Sequence, residues 1–282
     1  MKKIGYIISI GVLFSTIMTS CHTNDKKLET NALTFDSLKL TKVYYLDNDS
    51  TKPSCHLSIA FIYPAKGLAE KDLKILCSNF ISTMFDQAYA DSLPNIAAKC
   101  YANDYVSLYK EDAKSFYNDD TDDSEDNQKD YYSYFETLIN RIIFNKYNLL
   151  SFQVEQKNYK GGANSFTSFR NYVINLKTGE FLTEESIYNA GYEKMIHTLL
   201  INKLLQQNNA KNISELEELG YFGIDEIASN HNFLIDEDGI TYIFNRGESS
   251  ALSLNEIRIH FSFNEIESIL KPNSPIQPLL KE

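Results

Sequence analysis

The sequence contains no tryptophan, and it lacks the short motifs that mark the commonest catalytic sites. It has no G-x-S-x-G elbow, no phosphate-binding loop of the G-x-x-x-x-G-K type, no H-E-x-x-H and no C-x-x-C. Each of these motifs sets reactive groups at a spacing that its chemistry requires. The histidines are also scattered without ligand spacing, at His22, His56, His197, His231 and His260. We therefore expect a protein that is not an enzyme and that holds no metal and no cofactor.

Positive charge is scarce. The chain has 27 Lys and Arg residues against 38 Asp and Glu residues, which gives a formal net charge of −11. Phosphate contacts need clustered lysine and arginine, so the composition argues against a nucleic-acid partner. An acidic surface can attract a basic protein, although simple solubility explains the same charge.

The N-terminus has the order of a secretory signal peptide. Lys2 and Lys3 precede an apolar run over residues 4–18, which is shorter than the roughly 20 residues of a membrane span. Thr19 and Ser20 then precede Cys21, and this pattern resembles the lipobox of bacterial lipoproteins. The resemblance implies a signal peptide over residues 1–20 and a lipid on Cys21.

Such a chain would be exported and held in the cell envelope, at the outer membrane, by its lipid alone. The alternative is a signal peptide that is cut elsewhere, with Cys21 incidental. Residues 21–33 are polar and lack periodicity, so we interpret them as a flexible tether.

Three further cysteines can pair or remain free. An exported compartment permits disulfides, and Cys77 and Cys100 both fall in helical patterns, so they form the more natural bridge. The alternative is that these two residues and Cys55 are buried thiols that pack as small hydrophobic groups.

Residues 118–130 are dense in carboxylates. Calcium prefers several carboxylate oxygens, but this segment lacks the glycine and the closing glutamate of the helical calcium loop. We therefore expect a solvated loop and no metal site, because like charges at this density repel one another.

The hydrophobic periodicity predicts an α+β fold with mixed or antiparallel sheets packed against a few helices, in two sequential subdomains. In the first, residues 34–165, we expect strands at 38–45 and 55–63, helices at 68–90 and from about 92 to 116, and a strand pair at 131–144 and 149–154. In the second, residues 166–271, we expect helices at 192–207 and 213–219, strands at 233–235, 240–244 and 257–261, and a last short helix. Residues 272–282 form a proline-containing tail.

A glycine-rich loop stands between the two predicted subdomains. Gly161 and Gly162 follow Tyr159 and Lys160, and adjacent glycines indicate backbone angles or a close approach that a Cβ would forbid. Ala163 and Asn164 continue the loop, which we interpret as a structural or binding motif. A later turn at Gly179 ends the strand that follows.

Three parts of the chain together resemble the extracellular RsiV-like domain family: residues 159–163, residues 172–179 and the closing region 233–270. The family consists largely of domains of unknown function. It occurs in a lysozyme-sensing anti-sigma factor and beside deacetylase domains in cell-wall proteins. Asn164 and Ser165 stand where the family usually has His and Gly, so no role of that histidine carries over.

The resemblance implies a non-catalytic binding domain. Together with the acidity of the chain, it favours a basic protein such as lysozyme, or else a cell-wall glycan, as the partner. The alternatives are an enzyme or accessory factor acting on envelope glycans or peptidoglycan, and a structural lipoprotein of a larger envelope complex. The oligomeric state is left open.

Overall fold

The computed structural model describes residues 30–116, 125–161 and 165–281. In these residues the chain forms a six-stranded sheet, a three-stranded sheet and seven α-helices, and this confirms the expected α+β fold. The strands are β1 (Thr34–Tyr45), β2 (Ser54–Lys66), β3 (Tyr134–Lys146), β4 (Leu149–Lys160), β5 (Phe166–Asn175), β6 (Glu180–Phe181), β7 (Phe233–Ile235), β8 (Gly239–Phe244) and β9 (Ile257–Ser262). The helices are α1 (Glu70–Met84), α2 (Pro94–Phe116), α3 (Glu125–Tyr132), α4 (Glu184–Ile187), α5 (Glu193–Asn208), α6 (Ile213–Glu218) and α7 (Phe263–Ile266).

The large sheet has the order β1 to β6, and its strands are antiparallel except for one parallel pair, β2 with β3. A parallel pair needs a long crossover connection. Here α1 and α2 lie in that crossover and cover one face of the sheet. None of the described helices is long and apolar enough to cross a membrane.

Burial alternates along the central strands, and this alternation separates a covered face from an open one. On β2, Leu57 and Ile59 are each 1% exposed and belong to the core under α1 and α2, whereas His56 and Ser58 are exposed. Phe80 of α1 stacks on Phe152 of β4, with ring centroids 4.1 Å apart. Full burial of such a ring stabilises the fold by about 1.5–3 kcal/mol.

The second sheet packs beside β4 and β5 and has its own core with α5. Polar contacts join the two sheets. Ser151 Oγ donates to the backbone oxygen of Ile235 at 2.6 Å. The side chain of Asn232 accepts from the backbone nitrogen of Asn171 at 2.9 Å and donates to the backbone oxygen of Phe169 at 3.0 Å.

A buried carboxylate in α4 holds several segments of the second core together through hydrogen bonds. Glu184 is 0% exposed, and its Oε2 accepts from Tyr192 Oη at 3.0 Å and from Ser229 Oγ at 2.9 Å. His231 Nδ1 lies 2.7 Å from the same oxygen. Burial, followed by the charge of Glu184, raises the pKa of Tyr192, so this hydroxyl stays protonated and donates.

The expected boundary between residues 165 and 166 is wrong. Strands β4 and β5 pair from Leu149 with Asn175 to Asn158 with Phe166, so the large sheet continues past that point to Phe181. The separate core begins with Leu182.

Two segments that we expected to be loose are packed. Within the predicted tether, Asn31 Nδ2 donates to Asn145 Oδ1 at 2.9 Å, and Leu33 is 4% exposed. Residues 21–29 lie outside the described residues. In the predicted tail, Ile276 is 0% and Leu279 is 6% exposed, because both join the second core.

The expected Cys77–Cys100 bridge is not formed. Both residues and Cys55 are free thiols. Cys77 Sγ donates to the backbone oxygen of Pro64 at 3.1 Å, whereas Cys100 is exposed on α2. Burial raises the pKa of the Cys55 thiol to about 11.

We expect the thiols to differ in reactivity, because only the thiolate attacks an alkylating reagent. In the native chain at pH 8, iodoacetamide should label Cys100 first and Cys77 more slowly, and it should spare Cys55 until the chain unfolds. Peptide mass spectrometry measures the order, and the unfolded chain is the control in which the three should react alike. A linked Cys77–Cys100 peptide under non-reducing conditions would contradict the structure.

Candidate ligand-binding cleft

An open cleft of about 580 Å³ lies at one end of the large sheet, on the face that α1 and α2 leave free. This volume falls within the ~300–1,000 Å³ of ordinary small-molecule sites. We call it the aromatic cleft. Its walls come from the β1–β2 connection, the last turn of α3 and the ends of four strands. The lining residues are Tyr45, Ser50, Ser54, His56, Lys129, Asp130, Ser133, Tyr134, Phe135 and Tyr159.

The strand register places the floor of the aromatic cleft on one line across the sheet. His56 of β2 is opposite Val43 of β1 and Phe135 of β3, and Phe135 is in turn opposite Tyr159 of β4. Residues that oppose one another in a sheet project from the same face. The four side chains therefore form one continuous row on the open face.

Aromatic rings dominate this row. The rings of Phe135 and Tyr159 are nearly parallel, with an angle of 15° between their planes and 5.9 Å between their centroids. Tyr45 meets His56 edge to face, at 6.1 Å and 87°. Lys157 Nζ lies 5.9 Å from the centroid of Phe135. The result is a pair of aligned ring faces with a second aromatic pair beside it.

The polar side of the cleft is held by a short hydrogen-bonded chain. The backbone nitrogen of Ser54 donates to Ser133 Oγ at 3.0 Å, and this hydroxyl donates to the backbone oxygen of Lys129 at 2.6 Å. Lys129 Nζ donates to the backbone oxygen of Ser50 at 2.9 Å. These bonds fix the end of α3 against the β1–β2 connection, so the opening is shaped before any ligand arrives.

Ser54 and His56 form the one nucleophile-and-base pair in this cleft. Ser54 Oγ lies 3.0 Å from His56 Nε2, and Ser54 is only 5% exposed. A catalytic pair of this type needs a third group that orients the base. The ring of Tyr45 is the neighbour of His56 on the other side, and no described carboxylate shares a hydrogen bond with the imidazole. The geometry therefore suits hydrogen bonding to a ligand better than nucleophilic attack.

Two residues of the glycine-rich motif support this cleft. Tyr159 lines it, and its hydroxyl donates to the backbone oxygen of Tyr131 at 3.5 Å. Gly161 has φ +83°, and a Cβ there would lie 3.2 Å from the same oxygen. The motif thus brings the end of β4 against the end of α3.

The remaining motif residues are not part of this contact. Gly162, Ala163 and Asn164 lie outside the described residues. Gly179, with φ +76°, forms the turn between β5 and β6, and its backbone oxygen accepts from Asn79 Nδ2 at 3.1 Å. It serves that turn and does not line the aromatic cleft. Within the described residues no group of three His, Cys, Asp or Glu side chains could hold a metal ion.

Two tyrosines of the cleft remain neutral donors. Burial raises the pKa of Tyr159, and Tyr131 and Asp130 add to the effect. Burial, together with the charge and hydrogen bond of Asp112, raises the pKa of Tyr134 to about 12. Both hydroxyls are protonated at neutral pH, and each donates within the protein, Tyr159 to the backbone oxygen of Tyr131 and Tyr134 to Asp112.

The sequence alone did not identify His56, Ser54, Phe135 or Tyr45 as members of one site. Period-two alternation sets His56 and its neighbour Cys55 on opposite faces of β2, but it does not indicate which strand lies beside β2. The parallel pairing of β2 with β3 brings His56 beside Phe135, and no local pattern indicates that pairing.

The fold and the cleft together define an extended α+β domain with a preformed aromatic surface. No model of a known protein family matches the chain, and no curated protein matches it. Among solved structures it is similar to a member of the DUF3298 family from Bacteroides fragilis NCTC 9343. The TM-score is 0.82 and the sequence identity 28%, over 90% of this chain and 99% of that chain.

A DUF3298 family protein from Pseudomonas aeruginosa PAO1 is also similar in structure. The TM-score is 0.57 and the identity 10%, over 85% of this chain and 96% of that chain, so this likeness shows the fold alone. Both neighbours are domains of unknown function, as the sequence resemblance implied. The closer relation to the RsiV-like family stays a prediction.

A pair of glycine substitutions tests the packing of the motif. Gly161 and Gly191 have the same φ of +83°, but nothing lies within 4 Å of a Cβ at Gly191. Gly191→Ala should therefore lower the free energy of unfolding by about 1–2 kcal/mol, because alanine disfavours the left-handed backbone conformation. Gly161→Ala should cost about 1 kcal/mol more, because the backbone of Tyr131 must move.

Urea unfolding of the two variants and the wild type measures the difference. Equal losses would show that the contact between β4 and the end of α3 carries no strain.

Proposed function

We propose that this chain is an envelope-anchored lipoprotein with a non-catalytic binding domain, and that its ligand lies in the aromatic cleft. The observation that carries the proposal is the continuous row of His56, Phe135 and Tyr159 on an open sheet face. Phe135 and Tyr159 are half-buried and His56 is exposed. Contiguous apolar surface that remains accessible marks binding sites more often than isolated exposed side chains do.

The anchoring part of the proposal rests on the sequence. The basic start, the apolar run over residues 4–18 and the position of Cys21 support export and lipidation, with the domain held at the outer membrane by its lipid. These residues lie outside the described part of the structure.

The non-catalytic part is supported by the chemistry of the cleft. Among the described residues that line it, the charged ones are Lys129, whose ammonium group donates to Ser50, and Asp130. General acid–base catalysis by carboxylates needs a positioned pair of them, and one aspartate does not supply it. A few polar groups among aromatic rings are instead the usual composition of a recognition site.

Retention on isolated cell envelopes tests the proposal. The full chain, purified in detergent, should be retained on envelopes of its host, and Phe135→Ala should lower the apparent affinity about ten-fold, because it removes half of the parallel ring pair. Phe222→Ala is the matched control, because Phe222 is 47% exposed and is not among the residues that line the cleft. Equal retention of the wild type and both variants would refute a ligand site in the cleft.

A second candidate partner is a basic protein such as lysozyme. The observation that favours it is the formal net charge of −11. Such a charge attracts cationic proteins over distances of about one Debye length, ~8 Å at physiological ionic strength. Tyrosine-rich surfaces also suit protein contacts, because tyrosine combines apolar area with a hydrogen-bonding end.

We expect lysozyme to bind the full chain at low salt and to bind about ten-fold more weakly at 0.3 M salt, because screening removes the attraction between opposite charges. Calorimetric titration measures both affinities. Lysozyme with succinylated lysines is the control and should not bind. The absence of any binding at low salt would remove this candidate.

A further inference from the structure

The side chains that line the aromatic cleft indicate the class of ligand that it binds. We propose that it binds a saccharide, with one sugar ring packed on the outward face of the Phe135–Tyr159 ring pair and with its hydroxyl groups bonded to His56 and Asp130. The inference rests on the proposed function of this cleft and goes beyond it by stating what the ligand is made of.

The ring pair is the first argument. Phe135 and Tyr159 lie within 15° of parallel, on neighbouring strands in direct register. An aromatic face carries the negative part of the ring quadrupole and attracts polarised C–H groups. A pyranose ring presents several such C–H groups on one flat side and hydroxyl groups around its edge. The outward face of this ring pair can pack against that flat side.

The polar groups beside the rings are the second argument. Ser54 is 5% exposed and its Oγ lies 3.0 Å from His56 Nε2, so the buried hydroxyl holds the exposed imidazole in place. Asp130, in the last turn of α3, also lines the cleft. An imidazole can donate or accept a hydrogen bond and a carboxylate can accept one, so both groups suit sugar hydroxyls.

Charge is the third argument, and it removes strongly ionic ligands. Among the described residues, Lys129 and Asp130 line the cleft with opposite charges, and the ammonium group of Lys157 lies beside it, 5.9 Å from the centroid of Phe135. The ammonium group of Lys129 already donates to Ser50 at 2.9 Å. A phosphate or a nucleic acid would need several free cations here. A neutral ligand that is rich in hydroxyl groups fits this balance.

The strand pairing argues against an extended peptide. Peptides often bind a sheet by adding a strand to a free edge. The ring pair stands on β3 and β4, and these strands and β2 are each paired on both sides, whereas β1, which contributes Tyr45, is the edge strand of the sheet. The backbone groups beneath the ring pair are therefore used within the sheet, and recognition there depends on side chains.

The experiment compares envelopes from which one class of ligand has been destroyed. Envelopes are treated either with protease or with periodate, which cleaves the vicinal diols of sugars, and retention of the full chain is then measured. We expect retention to survive protease and to fall about ten-fold after periodate. Phe135→Tyr should behave like the wild type, since it keeps the ring. Phe135→Leu should lose retention although it keeps an apolar side chain of similar size.

The outcomes separate the two proposals. Retention that depends on Phe135 but disappears after protease would overturn the saccharide inference, while the proposed binding function would stand with a protein ligand. Retention that does not depend on Phe135 under any treatment would overturn both. Equal behaviour of Phe135→Leu and Phe135→Tyr would show that apolar burial, and not ring stacking, holds the ligand, and it would also overturn the inference.

Discussion

The parallel pairing of β2 with β3 is the constraint on which the site depends. A parallel pair requires its connection to cross over the sheet, and here the crossover contains α1 and α2. Helix α1 packs Leu76 and Phe80 on one face of the sheet, and the second sheet covers part of the other face near Leu149 and Ser151. The end of that face with the aromatic cleft stays open. The same pairing sets His56 beside Phe135. One topological choice thus supplies both the rigid support and the open surface.

Beneath that surface, a buried polar chain fixes the lateral order of the strands. Glu136, next to Phe135, is 2% exposed and accepts from Gln156 Nε2 at 2.8 Å and from the hydroxyl of Tyr101 on α2. Arg170 of β5 donates to Gln156 Oε1 at 3.1 Å. Burial, followed by the charge of Glu136, raises the pKa of Tyr101, which keeps this hydroxyl a donor. A carboxylate in this position is tolerated only when its partners are in place, so it disfavours a shifted strand register.

Local patterns in the sequence predicted most elements, and long-range pairing explains what they did not predict. The predicted strands at 55–63, 240–244 and 257–261 and the helix from about 92 to 116 depend on neighbours in the chain, and the structure has these elements. The expected boundary between the subdomains, after residue 165, was wrong. The loop between β4 and β5 resembles a linker in sequence, whereas the pairing of these two strands depends on the whole sheet. The cleft was not predicted for the same reason: its floor unites residues from four strands.

The geometry of the aromatic cleft explains the structural role of the glycine-rich motif. A row of rings on an open face gives a domain little stability, because its outer surface remains in water. The chain nevertheless builds a support for it: Gly161 adopts a left-handed angle, and Tyr159 turns its hydroxyl toward the backbone of Tyr131. Both details hold the wall of the cleft against its floor. A cleft that is shaped in advance would spare a ligand the entropy of ordering its site, as the proposed binding function requires.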